Sequence, residues 1–273
     1  MKNLNTYINE GLADWEDDKL NKKISKQTTK TAIKQEISDW IINNTKCTIY
    51  KNKLKFNLNT NPITIDYDGD IEFKENIDSL TNGIFQWGEV GGHFECAWCK
   101  SLMSLEGGPK EVGGYFECED CTSLKSLEGA PEKIGKYFSC DKCASLKTLE
   151  GAPKEIGGNF TCSHCTSLKT LEGTPEKIGG KFYCSYCNSI TSLKGSPKEV
   201  DEFYCTNCTS LKTLKGAPKE VGDWFVCRNC DSLTSLEGAP KNVEGFFDCR
   251  YCGTKFTEDD VKKVSNVKKE IYC

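Results

Sequence analysis

The chain has 273 residues, of which 37% are hydrophobic and 28% are charged, and its formal net charge is −4. Interleaved acidic and basic residues with a slightly acidic sum exclude the broad basic surface of a general nucleic-acid-binding protein. No apolar run approaches the roughly 18 residues of a membrane span. The first ten residues also lack the apolar core of a secretory signal. We therefore expect a cytoplasmic protein with neither nucleic-acid nor membrane partners.

Eighteen cysteines are many for a cytoplasmic chain. In a secreted protein this content would indicate disulfides. Because no secretory signal is recognisable, reduced thiols or thiolate-bound metal are the alternatives that we expect.

Residues 1–27 are polar and rich in Lys, Asp and Asn, which predicts a flexible N-terminal arm. The arm also resembles the N-terminal packaging signals of some tailed-phage head proteins. These signals begin Met-Lys, form a short amphipathic helix and carry an Ile/Leu-x-Glu cleavage site, here Ile8-Asn9-Glu10. The resemblance implies a structural or packaged virion component, and the alternative is an ordinary solvated arm.

Residues 28–90 are predicted to form an N-terminal cap and the first atypical repeats. Apolar Ile33, Ile37, Trp40 and Ile41 have the i, i+4, i+7, i+8 spacing of a helix. Extended segments are expected around Cys47–Tyr50, Leu54–Leu58 and Ile63–Tyr67. Such a cap is required because an open stack of repeats would otherwise expose its core at the end.

Residues 91–252 consist of a short repeat. Successive first cysteines of eight Cys-x-x-Cys pairs are 22 residues apart, except for one step of 21 into Cys205. A Phe lies two residues before each first Cys; Ser-Leu-x-Ser/Thr-Leu, a Gly-x-Pro turn and a closing Val or Ile follow in most units. The pairs are Cys96/Cys99, Cys118/Cys121, Cys140/Cys143, Cys162/Cys165, Cys184/Cys187, Cys205/Cys208, Cys227/Cys230 and Cys249/Cys252.

The alternation Phe-x-Cys has the period of a strand, so both side chains face the same way. One unit cannot bury this apolar side alone, whereas units stacked about 4.8 Å apart form a continuous parallel sheet over a core of Phe, Cys and Leu. A unit of this length leaves no room for a long helix behind the sheet. We therefore expect a β-rich solenoid with short extended or 3₁₀ segments on its other face.

The repeat resembles the leucine-rich repeat, whose consensus is L-x-x-L-x-L-x-x-N/C-x-L. Phe116 takes the second Leu position, Cys118 the third and Cys121 the Asn/Cys position, and Leu124 follows. The match covers residues 63–252. Repeats of this kind with this kind of start also resemble proteins found in bacteriophage and gut-bacterial genomes.

Two Cys-x-x-Cys pairs at this separation also match four-cysteine zinc sites, which makes a zinc-binding array the alternative. An upstream unit over residues 70–80 argues against it. In that unit we align Phe73 with Cys96 and Asn76 with Cys99, and Phe cannot bind metal. We therefore favour a packing role for the cysteines, and expect no cofactor.

Residues 253–273 are predicted to form the C-terminal cap. Thr257 precedes three acidic residues, as an N-cap precedes a helix, and Val261 and Val264 give that helix an apolar side. Ile271-Tyr272-Cys273 repeats the Phe-x-Cys alternation and predicts a last strand.

Three columns flank each Phe-x-Cys-x-x-Cys segment and should face outward: the residue before Phe, the residue after Phe and the residue before the second Cys. Large aromatics in these columns favour a protein-binding face, since Tyr and Trp offer contact area and a polar tip. Cross-strand stacking in the sheet is the alternative reason for them. The candidate binding residues are Trp98, Tyr115, Tyr137, Tyr183, Tyr186, Tyr204, Trp224, Phe246 and Tyr251.

Residues suited to catalysis do not come together in the repeat. His93 and His164 are the two histidines, and they fall in different columns three units apart, roughly 14 Å by strand spacing. Paired glycines recur in most units and serve turns rather than phosphate binding. We therefore expect a non-enzymatic protein with no catalytic residues, which binds another protein.

Overall fold

The computed structural model describes residues 19–46 and 48–273. The repeats form a parallel β-solenoid in which each unit adds one strand to a ten-stranded front sheet and one extended segment to the opposite side. The predicted β-rich solenoid is confirmed. Ile8-Asn9-Glu10, most of the predicted arm and Cys47 lie outside the described residues.

The front sheet contains the strand that begins at each repeated Phe. Its parallel strands are β3 (Ile71–Glu72), β5 (Phe94–Glu95), β7 (Phe116–Glu117), β9 (Phe138–Ser139), β11 (Phe160–Thr161), β12 (Phe182–Tyr183), β14 (Phe203–Tyr204), β16 (Trp224–Val226), β18 (Phe246–Asp248) and β20 (Ile271–Tyr272).

The other side carries two smaller back sheets. One contains β1 (Lys55–Asn57), β2 (Ile63–Tyr67), β4 (Phe85–Val90), β6 (Glu111–Val112), β8 (Lys133–Ile134) and β10 (Glu155–Ile156). The other contains β13 (Glu199–Val200), β15 (Glu220–Val221), β17 (Asn242–Val243) and β19 (Asn266–Val267). These are the short extended segments expected from the length of the unit.

Equivalent residues of neighbouring units lie directly side by side in the front sheet. Phe116, for example, pairs with Phe94 on one side and Phe138 on the other. The buried Phe rings form one column with successive ring centroids 5.0 to 5.7 Å apart. Each ring is fully buried, and burying one contributes roughly 1.5–3 kcal/mol. The column therefore forms the apolar core of the solenoid together with the buried Cys, Leu and Val or Ile side chains of the units.

The shortened unit is accommodated at a corner. Two residues separate Val200 from Phe203, whereas three separate Val112 from Phe116. Phe203 still pairs in register with Phe182, so the deletion leaves the front sheet unbroken. The back ladder is interrupted one unit earlier: Lys177 pairs with Glu199 of β13 in an isolated bridge, whereas β10 belongs to a different sheet.

A helix covers the N-terminal end of the stack. Helix α1 runs over Lys19–Asn44 of the described residues, so it includes the last part of the segment predicted to be a flexible arm. Ile37 and Ile41 are fully buried, and the Trp40 ring packs edge-on against Phe85 with centroids 5.6 Å apart. A 3₁₀ turn at Lys51–Lys53 then leads into β1. The apolar face predicted for the cap helix is confirmed.

The C-terminal end is covered as predicted by a short helix and a last strand. Helix α2 (Glu258–Lys262) begins after Thr257, whose hydroxyl accepts from the Asp260 N–H in a capping box. Val261 is fully buried, but Val264 lies beyond the helix and is 39% exposed, so its predicted place on the apolar side is wrong. Strand β20 pairs in register with β18. No helix within residues 19–46 and 48–273 combines the length and the apolar character of a membrane span.

The upstream unit differs from the predicted alignment by one residue. Ile71 pairs with Phe94, which places Phe73 opposite Cys96 as predicted. Asn76, however, has a φ of 65°, and the equivalent left-handed residue in the next unit is Trp98. Ile77, which is 9% exposed, therefore takes the place of Cys99. The predicted alignment of Asn76 with Cys99 is wrong, because an extra residue after Phe73 shifts the turn.

A glycine directly follows the back strands β4, β6, β8, β10 and β15 and closes the corner there. At Gly157, a Cβ would lie 2.2 Å from the carbonyl oxygen of Gly135 in the preceding unit. At Gly222, which also follows a back-strand Val, a Cβ would lie 3.0 Å from the movable Asp201 carboxylate and no closer than 3.4 Å to backbone. The backbone approach is therefore tight at Gly157 and relaxed at Gly222.

We expect Gly157→Ala to lower the free energy of unfolding by about 1–3 kcal/mol, because the added methyl group overlaps fixed backbone. Gly222→Ala is the matched control, with a smaller cost. Urea unfolding followed by circular dichroism measures both. Equal destabilisation by the two substitutions would contradict the close backbone approach at Gly157.

Candidate functional site

The candidate residues lie on the outer face of the front sheet, but only some of them are exposed. Those before Phe (the first column) and those after Phe (the second column) are half-buried rather than exposed, which corrects the expectation from the sequence. These half-buried residues are Tyr115, Tyr137, Tyr183, Tyr204, Trp224 and Phe246.

The half-buried aromatics stack on one another across strands. The Tyr115 ring lies 4.8 Å from that of Tyr137, with an interplanar angle of 17°. Trp224 stacks on Phe246 at 4.2 Å. Stacking between equivalent positions of neighbouring strands stabilises a sheet. Packing within the protein therefore accounts for much of the surface of these six residues.

His93 and Tyr272 extend these stacks and were not among the sequence candidates. The centroid of the His93 ring lies 3.8 Å from that of Tyr115, and the centroid of the Tyr272 ring lies 6.1 Å from that of Trp224. His93 lies in the first column and Tyr272 in the second, and these positions in the repeat were the signal that could have revealed them.

The third group of candidates forms an exposed row where the front strands end. We define the rim row as the residue before each second Cys, together with Asn76. Its aromatic members are well exposed: Trp98 is 46%, Tyr186 43% and Tyr251 76% exposed. The backbone N–H of a row member donates to a backbone carbonyl group of the unit that follows. The Trp98 N–H, for example, donates to the Glu119 carbonyl oxygen at 2.7 Å. The row is therefore held in the same register as the sheet.

Every member of the rim row has a left-handed backbone conformation. The φ angles lie between 55° and 65° for Asn76, Trp98, Asp120, Lys142, His164, Tyr186, Asn207, Asn229 and Tyr251. Asn and Asp tolerate this region well, whereas other residues with a Cβ pay about 1–2 kcal/mol. The four Asn and Asp residues in the row are the sequence signal that could have predicted this backbone.

Bulky rings are therefore placed where the backbone favours Asn. Trp98, Tyr186 and Tyr251 bear the steric cost and remain exposed, so little burial offsets it. For Tyr186, stacking on the His164 ring, with centroids 4.4 Å apart, offsets part of this steric cost. Lys142 lies 5.5 Å above the Trp98 ring. Strained residues of this kind concentrate at functional sites, and cross-strand packing does not account for the exposure of these rings.

The charge of the front face changes along the solenoid. Glu95 and Glu117 lie side by side on β5 and β7. Burial raises the pKa of the Glu95 carboxyl, and the like charges of Glu117 and Glu72 add to this. Near the other end, Arg250 holds the buried Asp248 carboxylate through two hydrogen bonds of 3.0 and 2.8 Å. The face is thus acidic in its N-terminal units and mixed in charge in its C-terminal units.

The cysteines form two columns in the core, and the second thiol of each pair binds backbone. Cys121 Sγ donates to the Cys96 carbonyl oxygen of the preceding unit at 3.1 Å. The same bond, at 3.1 to 3.2 Å, recurs from Cys143, Cys165, Cys187, Cys208, Cys230 and Cys252. This is the hydrogen bond to backbone expected for this position. Each thiol therefore links two successive units.

The environment of these thiols suits packing better than metal binding. Burial raises the pKa of the Cys140, Cys162 and Cys184 thiols far above the usual range, whereas a zinc ligand must be a thiolate. Among the described residues, no group of three or more His, Cys, Asp or Glu side chains is placed to hold one metal ion. In the upstream unit, Phe73 and Ile77 occupy both cysteine positions without a sulfur atom.

We expect protein purified under reducing conditions without added zinc to contain well under one equivalent of zinc. Because the thiols bond to carbonyl groups, a chelator should leave the urea unfolding curve unchanged. Elemental analysis by plasma mass spectrometry measures the metal. Four equivalents of tightly held zinc, with unfolding on chelation, would instead support the zinc array.

Tyr251→Asn should raise the free energy of unfolding by about 1 kcal/mol, because Asn tolerates the left-handed backbone. Asn229→Tyr, at the same position of the preceding unit, is the reciprocal control and should lower it by a similar amount. Chemical denaturation measures both changes. A lower stability for Tyr251→Asn together with a higher stability for Asn229→Tyr would refute the strain assigned to the rim row.

Comparison of the chain with protein-family models, with curated proteins and with solved structures gives no match. The geometry of the front face is therefore the basis from which a function can be proposed.

Proposed function

We propose that this protein is a non-enzymatic binding protein of the leucine-rich-repeat kind, and that the exposed rings of the rim row anchor a protein partner. The observation that carries the proposal is the placement of Trp98, Tyr186 and Tyr251 at left-handed, exposed positions. A row selected for stability alone would favour Asn there, as at Asn207 and Asn229. Aromatic anchors of this type dominate the energetics of protein interfaces.

The spacing of the three rings supports an extended partner. Trp98 and Tyr186 are four units apart, and Tyr251 lies three units further on. At about 4.8 Å per unit, the row between the outer rings is about 34 Å long. A small ligand cannot reach all three rings, whereas a protein surface or an extended peptide can. The change from acidic to mixed charge along the face would orient such a partner.

The half-buried candidates contribute to the same surface in a different way. The Tyr183 ring stacks on Tyr204 with centroids 4.8 Å apart, and Tyr183 belongs to the same unit as Tyr186. Such a stack offers a preformed platform whose side chains have already lost their freedom, which reduces the entropy cost of binding. Replacing Trp224 by Ala is a poor test of binding, because this ring also packs on Phe246 and Tyr272.

A triple substitution, Trp98→Asn with Tyr186→Asn and Tyr251→Asn, should abolish partner binding without loss of stability. Each anchor contributes about 2 kcal/mol or more to binding, while Asn suits the backbone at all three positions. Partners captured from lysate on the immobilised wild-type chain are identified by mass spectrometry, and their affinities for each variant are then measured by calorimetry.

Met103→Ser provides the matched control for this experiment. Met103 is an exposed apolar side chain, 64% exposed, outside the three columns of the front face. Its removal should leave binding intact. The proposal fails if the triple variant binds the same partners with wild-type affinity, or if Met103→Ser weakens binding as strongly as the triple substitution.

A further inference from the structure

The C-terminal strand brings two thiols together at the end of the first-cysteine column. Strand β20 pairs in register with β18, with Asp248 opposite Tyr272. The residues that follow are Cys249 and Cys273, and the Cys249 N–H donates to the Tyr272 carbonyl oxygen at 2.9 Å. Their sulfur atoms lie 3.6 Å apart. This is a direct contact between two free thiols.

The two thiols differ from the others in their access to solvent. Of the cysteines that the structure describes, Cys273 alone is exposed. Cys249 is buried, with 2% of its surface exposed, and it touches solvent-accessible Cys273. A reagent can therefore reach the outer thiol first, and the inner thiol is already placed behind it.

The geometry of this pair suits a covalent bond. Neighbouring parallel strands are about 4.8 Å apart, which falls within the Cα separation of about 4.4–6.8 Å found in disulfides. Closure to the bond length of about 2.05 Å requires the sulfur atoms to approach by about 1.6 Å, within the reach of side-chain rotation. No substantial movement of either strand is needed.

We propose that Cys249 and Cys273 are a thiol–disulfide exchange site, at which a low-molecular-weight disulfide oxidises the pair and fastens β20 to β18. This inference does not depend on the proposed function. The site lies in the C-terminal cap, which otherwise packs on the last repeat through two-residue strands and the short helix α2.

The exchange proceeds in two balanced steps. The Cys273 thiolate attacks one sulfur of the reagent RSSR, the RS–SR bond breaks, and the leaving RS⁻ takes up a proton equivalent to the one lost by Cys273. The Cys249 thiolate then attacks the Cys273 sulfur of the mixed disulfide and displaces the second RS⁻, which is protonated in turn. Two protein thiols are oxidised and one RSSR is reduced to two RSH.

A neutral reagent suits the surroundings of Cys273. Burial raises the pKa of the Cys273 thiol, and the acidic Glu258 and Asp260 of the cap contribute to this shift. Negative charge at the site would also repel an anionic disulfide. Bis(2-hydroxyethyl) disulfide is therefore the probe, used at about pH 8.5, where an unperturbed thiol is half ionised.

The experiment uses the full chain with Cys47→Ser, because Cys47 lies outside the described residues and could react independently. After incubation with the probe and an acid quench, digestion without reductant should yield a peptide that joins Cys249 to Cys273, and dithiothreitol should remove the linkage. Amide hydrogen exchange over residues 266–273 should slow on oxidation, because the strand can no longer open freely.

Two single variants complete the design. Adding Cys249→Ser should trap the probe as a stable adduct on Cys273, and adding Cys273→Ser should abolish both adduct and linkage. A persistent adduct on Cys273 in the Cys47→Ser parent would overturn the proposal, as would a linkage of Cys273 to any other cysteine or unchanged hydrogen exchange after oxidation. If Cys249→Ser fails to fold, the parent and Cys273→Ser still give these outcomes.

Discussion

The strands of each repeat unit form their backbone hydrogen bonds with the units beside them, because strands of two or three residues have no other partner. Any shift in register would therefore disrupt the parallel ladder, the Phe column and the thiol bonds together. This coupling explains why the 22-residue period is nearly invariant among the eight Cys-x-x-Cys units, and why its one exception among them occurs at a corner. Between Val200 and Phe203 the chain loses a residue where no front-sheet pairing depends on it.

The cysteines fit the same constraint. A buried carbonyl group in each unit needs a donor, and the thiol of the next unit supplies it. Asn would be the stronger donor at this position. Cys combines a weak donor with a small apolar surface, so it satisfies the carbonyl group and fills the core at the same time. The zinc-like spacing follows from the strand and turn geometry of the repeat.

Much of the fold could be predicted from the sequence because the repeat supplies eight aligned copies of the same evidence. The Phe-x-Cys alternation predicted the front strands, and Thr257 predicted the start of the C-terminal helix. The error at Asn76 arose in the unit that departs from the repeat, where one extra residue had no second copy to locate it. The exposure of Tyr115 or Trp224 could not be predicted either, since it depends on how far rings from adjacent strands overlap.

The candidate site was predicted as a face, and the structure divides that face by backbone conformation. Alternation along a strand reveals which side a residue occupies, but the dihedral angles of a turn are only weakly encoded in single residues. Comparison of equivalent positions carries the missing information: Asp120, Asn207 and Asn229 indicate the left-handed backbone that Trp98, Tyr186 and Tyr251 share. An aromatic residue in a column of Asn and Asp is thus a useful sign of a surface that is not selected for stability alone.

The buried thiols have one more consequence. Almost every unit carries a pair of reactive groups that a reagent can reach only after that unit has opened. The chain therefore contains its own set of evenly spaced chemical reporters. The order in which pairs become reactive records whether the solenoid unravels from its ends, at the break between the back sheets, or along its whole length at once.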